Sequence, residues 1–246
     1  MNQNLPTDSA MLDAPPAPPR STPPAGPSRV MLALASALSP FAMVVIGPLL
    51  PAMARLYQTN AAETQFVISA YLFGLFVAQL ILGPVSDRFG RKPVMLGGLA
   101  VYVLTSVACA YAPSLELLIT ARFVQACGAA ALATAVRASV HDVYHGDVAA
   151  RQMAVIAIGH SVAHTASPMI GGLLDGVLDV RGLFLLLAGL GLAMAVWTGS
   201  AMHETRRLVA PAGRFGIAHA LQTSVLVVRS PVFLAYSGIY GLVGAG

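Results

Sequence analysis

The chain has 246 residues, 57% of them hydrophobic and 10% charged, with 14 Lys and Arg against 10 Asp and Glu for a formal net charge of +4. Soluble domains carry roughly 25% charged residues, and no water-soluble fold of this length could hide so much apolar surface. The two cysteines, Cys109 and Cys127, sit in separate apolar runs without CxxC or metal-like spacing, which argues against a disulfide framework or a zinc site.

Residues 1–29 are rich in Pro, Ala and Ser and nearly lack bulky aliphatic side chains, the composition of a disordered tail. No apolar stretch behind a basic start precedes Val30, so the tail does not read as a secretory signal. From Val30 onward, apolar segments recur at the length needed to cross hydrocarbon, about 20 residues for about 30 Å. Six spans are predicted, over Val30–Ala54, Gln65–Val85, Pro93–Tyr111, Leu115–Val136, Gln152–Leu174 and Gly182–Met202. The expected class is an all-α membrane protein: tail 1–29, a six-helix transmembrane bundle 30–202, a cytoplasmic linker 203–230 and a truncated seventh helix 231–246.

Cationic residues flanking spans stay preferentially on the cytoplasmic side. Arg20, Arg29, Arg88, Arg91, Lys92, Arg137, Arg151, Arg206, Arg207, Arg214 and Arg229 fall on one side of this layout, and only Arg55 and Arg181 on the other. The amino terminus is therefore expected inside, and topology rather than nucleic-acid binding accounts for the basic excess. Arg122 is left within the fourth span.

The second-to-third connection, from Gly83 to Pro93, is dense in charge, with Asp87, Arg88, Arg91 and Lys92 between Gly83 and Pro93 and Gly90 among them. Glycine permits a tight turn and close helix approach, Pro93 suits the first turn of the next helix, and Asp87 can pair with a helix amino terminus or a nearby Arg. Such a group can act as a latch, or it can be a solvated loop that satisfies the inside rule.

An intramembrane Arg costs about 2.5–3.5 kcal/mol on insertion scales, so it usually faces a cavity or a partner. Arg122 either does so or snorkels to the nearer surface. Gln125, at i+3, can hydrogen-bond a substrate or a neighbouring helix. His160 and His164 share one helical face at i, i+4, which fits polar interhelical contacts, a proton relay or, without an obvious third ligand, a metal pair. Phe41, Met43, Tyr71 and Phe73 either line an adaptable apolar cavity or pack against lipid and core. Neither a GxxxxGK[ST] phosphate loop nor a GxSxG elbow occurs, so the reading is a transporter and not an enzyme, with no cofactor or metal expected.

The pattern Gly83-x3-Asp87-Arg88-x-Gly90-Arg91-Lys92 resembles the signature loop of the major facilitator superfamily. Within it, Gly47-Pro48-Leu49-Leu50-Pro51, Tyr71 through Gln79, Arg122 through Gly128, Arg137 to Tyr144, Ser167-Pro168-Met169-Ile170-Gly171-Gly172 and His203-Glu204-Thr205 are similar to the Bcr/CflA group of drug/proton antiporters. The resemblance implies one of two six-helix bundles around a central cavity, rocking between inward-facing and outward-facing states. It further implies proton coupling at Arg122, a cavity role for Tyr71, and kinks or tight packing at Pro48, Pro51, Pro168, Gly171 and Gly172.

One departure is plain. Relatives commonly carry an aspartate where this chain has Ala42-Met43-Val44-Val45-Ile46, so the proton carrier lies elsewhere, with His160, His164 and the missing carboxy-terminal half as candidates, or coupling has changed. The expected function is proton-coupled efflux of drugs or other amphipathic small molecules across the inner membrane. The alternatives are a non-transporting remnant, a half-transporter paired with a partner chain or second copy, and the same fold moving a metabolite. The expected partners are the lipid bilayer, the transported solute and protons.

Overall fold

In this computed structural model the described residues are 28–202 and 204. The predicted linker and seventh helix lie outside them, apart from Glu204, as does most of the tail. Among the described residues six helical segments are long and apolar enough to cross a membrane, joined by short connections into an all-α bundle.

The first span is interrupted: α1 (Arg29–Val44) passes through a 3-10 turn at Gly47–Leu49 into α2 (Leu50–Leu56). Pro48 and Pro51 explain the break, since each removes a backbone donor and each opens a new helical segment at its first turn. The remaining spans are α3 (Ala61–Phe89), α4 (Arg91–Ala110), α5 (Leu115–Val143), α6 (Gly146–Asp175) and α7 (Val180–Ala201). Asn60, Ser114 and Asp179 cap α3, α5 and α7 by accepting from the amides of Glu63, Leu117 and Gly182, which satisfies donors that helix starts leave open.

The structure extends the predicted second, fourth and fifth spans. Hydropathy ends the second span at Val85, where charge begins, but α3 continues to Phe89 and α4 starts at Arg91, so only Gly90 leaves the helix. Backbone hydrogen bonding does not stop where a helix leaves the hydrocarbon. Gly90 adopts φ +97°, a conformation side chains rarely tolerate.

The centre of the bundle is α5, 61% of whose apolar stretch is buried, against 22% for α3 and 11% for α6. It packs on α3 and α4, α4 packs in turn on α7, and α6 lies mainly along α1. Small residues set these approaches. A Cβ on Gly98 would stand 2.5 Å from that of Ala131, and one on Gly128 would meet the Gly98 carbonyl oxygen at 2.6 Å. Of the predicted packing pair in α6, Gly171 lies directly against the Val45 carbonyl and near Pro48, whereas Gly172 faces open space. The helix runs through Pro168 without a break in its assigned range.

Neighbouring glycines test this packing. Gly97 has open space around it, so Gly97→Ala should be neutral or stabilising by about 0.5–1 kcal/mol, the helical penalty of glycine. Gly98→Ala should instead destabilise by about 1–3 kcal/mol through overpacking. Unfolding of the protein in mixed detergent checks the contrast, and equal stabilities would contradict the crossing.

Candidate functional site

Two polar groups are built into this apolar scaffold. The first surrounds Arg122 on α5, whose side chain is fully buried and therefore does not snorkel to the surface. Its Nη1 donates to Gln125 Oε1 at 2.5 Å, one helical turn along, and its Nη2 donates to the Ala42 carbonyl of α1 at 3.2 Å. The guanidinium carbon stands 4.1 Å from the ring centre of Tyr71 on α3 and 5.9 Å from that of Phe184 on α7. Aromatic faces attract a desolvated cation by about 2 kcal/mol or more.

The hydrogen bonds continue beyond the guanidinium. Gln125 Nε2 donates to the Ser106 hydroxyl on α4, which donates to the Tyr102 carbonyl at 2.7 Å. Tyr71 donates from its hydroxyl to the Ser39 carbonyl of α1 at 3.2 Å. Arg122 Nε and the Tyr102 hydroxyl are buried without a hydrogen-bond partner among the described residues. No carboxylate among the described residues pairs with Arg122. Ala42 heads the stretch in which the resemblance implies an aspartate, and a backbone carbonyl meets the guanidinium there instead.

The second group lies on one side of the bundle, where α3 and α5 end and α4 begins. Arg91 donates from Nε and Nη2 to the two oxygens of Asp142, at 2.7 and 3.3 Å, and from Nη1 to Asp87 at 2.6 Å and Ser86 at 3.1 Å. The pairing with Asp142 is a planar fork, the geometry in which arginine binds carboxylates best. Glu204 accepts from the Arg91 and Lys92 amides, and Lys92 Nζ donates to the Gly199 carbonyl. Asp87 thus takes the nearby-Arg option of its predicted pairings, and Arg88 lies over the Phe89 ring at 5.5 Å. Gly83 is in the last part of α3 with nothing near its Cβ position.

Of the predicted site residues the structure brings together Arg122, Gln125 and Tyr71, and separately Asp87, Gly90, Arg91 and Lys92. His160 and His164 lie exposed on α6, apart from both groups, and no set of three or more metal-ligating side chains occurs among the described residues. Phe41 and Met43 are half-buried against the core, while Phe73 is 60% exposed and makes a tilted contact with Phe123. Sequence patterns did not single out Ser106, Tyr102, Phe184 or Asp142 and gave Glu204 no role. Asp142 and Glu204 lie in two stretches that carry the family resemblance, Arg137 to Tyr144 and His203-Glu204-Thr205, but neither was given a role there.

The chain resembles known proteins over most of its length. Residues 32–246 match the Major Facilitator Superfamily. It is 33% identical over 189 residues to Multidrug resistance protein D of Escherichia coli K12, covering 75% of this chain and 47% of that protein. It is 35% identical over 149 residues to the Chloramphenicol resistance protein of Pseudomonas aeruginosa, covering 60% and 35%. In structure it is similar to a bacterial homologue of the human lysosomal transporter Spinster in an inward-facing, unoccupied conformation, with a TM-score of 0.60 and 16% identity over 77% of this chain and 45% of that one. The chain spans about half the length of such relatives, or less.

The two carboxylates of Arg91 should differ in weight. Asp142 is 22% exposed and held by a fork, Asp87 69% exposed and held by one nitrogen. Asp142→Asn should cost about 1–3 kcal/mol, the range for a mostly buried charged partner, and Asp87→Asn no more than about 1 kcal/mol. Thermal unfolding of the two variants checks the ranking, and a larger loss for Asp87→Asn would contradict it.

Proposed function

The chain belongs to the major facilitator superfamily, and from that premise we propose that it forms the amino-terminal six-helix half of a proton-coupled exporter of drugs or other amphipathic small molecules in the bacterial inner membrane. The observation that carries this reading is Arg122, an obligate cation held deep in the bundle by groups from other spans and by no carboxylate among the described residues. Arginine keeps its proton at any working pH, so its part in coupling is to set the proton affinity of bases along the pathway, not to titrate. A nearby positive charge disfavours protonation. Motion of the guanidinium between two arrangements therefore makes proton uptake easier in one state than in the other.

The bases that Arg122 acts on in this scheme lie on the opposing half, and His160 and His164, apart from Arg122 on the exposed face of α6, are carriers further along the pathway. Histidine suits the task because it titrates near neutral pH. Of the residues expected to line the cavity, Phe41 is half-buried and borders its wall, whereas Tyr71 and Gln125 are fully buried and serve Arg122 from behind it. The least buried spans, α3 and α6, turn Phe66, Phe73, Phe76, Ile158 and Val162 outward. Those faces meet the second six-helix unit, supplied by further chain or by a second copy, and rigid-body rocking of the two units alternates access. The Asp87–Arg91–Asp142 cluster acts as a cytoplasmic latch, with the amino terminus on that same side. Export of drugs in particular is supported by the names of the two bacterial relatives.

Efflux of chloramphenicol or ethidium from cells expressing the intact gene tests the proposal. Arg122→Ala should lower the gradient-driven rate roughly tenfold or more, equivalent to at least about 1.4 kcal/mol, at unchanged protein in the membrane. Arg122→Lys should retain part of the rate, since it restores the charge without the fork. Wild-type rates in Arg122→Ala, or efflux indifferent to collapse of the proton gradient, would overturn the reading.

A further inference from the structure

Helix α4 begins without a side-chain cap at Gly90, so its first amides need partners from elsewhere. They find them 113 and 112 residues away: Glu204 Oε1 accepts from the Arg91 amide at 2.9 Å and Oε2 from the Lys92 amide at 3.1 Å. A carboxylate at a helix amino terminus gains from the helix dipole as well as from the two bonds. Lys92 Nζ returns the connection by donating to the Gly199 carbonyl of α7 at 2.8 Å. The turn is shaped to admit this: a Cβ on Gly90 would stand 2.7 Å from Glu204 Oε2.

The same residue that Glu204 holds by its backbone holds the gating cluster by its side chain. Arg91 reaches Asp87 on α3 and Asp142 on α5 while its own amide is fixed to Glu204. We propose that Glu204 is a positioning residue of the gating cluster, a cap supplied from just beyond α7 that sets the backbone of Arg91 so that one guanidinium spans both carboxylates. Displacement of Glu204 then pulls directly on the latch. The functional part of this inference rests on the reading of the cluster as a gate.

Three measurements on the intact protein, in lipid nanodiscs or vesicles, test it. In Glu204→Ala, hydrogen exchange at the Arg91 and Lys92 amides should quicken at least about tenfold, the response expected when a local cap opens, while the middle of α4 keeps its protection. The loss of melting temperature in Glu204→Ala with Asp142→Asn should be smaller than the sum of the single losses, because both act through Arg91. Transport should show a lower kcat at nearly unchanged KM, restored in part by Glu204→Asp but not by Glu204→Gln. Unchanged exchange would overturn the cap, and additive losses would reduce Glu204 to a structural residue that does not act through Arg91. Faster exchange with coupled losses but wild-type kcat would instead overturn the gating reading on which the inference rests.

Discussion

A guanidinium enclosed by apolar helices must be matched by partners from several directions, and in this chain that requirement organises the bundle. Insertion of an arginine at mid-span costs about 2.5–3.5 kcal/mol on translocon scales, and Arg122 is fully buried. Its compensation comes from α1 through the Ala42 carbonyl, α3 through the Tyr71 ring, α7 through the Phe184 ring and α4 through Ser106, which Gln125 links to the guanidinium. Four other spans converge on one side chain of α5. Among the described spans only α6 stands aside, packed along α1 and largely exposed.

That convergence depends on close helix approach. The Gly98–Gly128 crossing lets α4 lie near enough to α5 for Ser106 to take the Gln125 amide, and Gly74 on α3 sits with its Cβ position 2.5 Å from the Phe123 carbonyl oxygen, which brings Tyr71 over Arg122. At the other end of α5, Asp142 anchors Arg91. Helix α5 therefore carries both polar groups, with Asp142 20 positions beyond Arg122, about 30 Å along the axis at ~1.5 Å per residue. A single rigid element links the buried cation to the charged cluster at the bundle's end.

Much of this was legible in the sequence, and the physical reasons for the rest are specific. The spans were readable because an unbroken run of about 20 apolar residues matches the thickness of the hydrocarbon layer, and Arg122 stood out because charge is rare in such runs. The helix ends were not, because hydropathy follows the lipid boundary whereas α3, α5 and α6 continue past it. Gln125 was placed beside Arg122 by helical spacing alone. Ser106 and Phe184 were invisible, since each comes to the Arg122 group from a different helix, and Glu204 meets Arg91 across 113 residues. The spacing of His160 and His164 revealed a shared face but not that it is exposed.

With a backbone carbonyl of span one beside Arg122, where the family resemblance implies an aspartate, the stoichiometric link between solute and proton is the point on which the proposal stands or falls. The most direct measurement is drug-elicited proton movement in sealed proteoliposomes of the intact transporter, read with a pH-sensitive dye trapped inside. Proton-coupled export predicts that chloramphenicol added outside drives a saturable rise of the interior pH, because protons leave as the drug enters, and that a protonophore abolishes it. Drug flux without any accompanying pH change would contradict it.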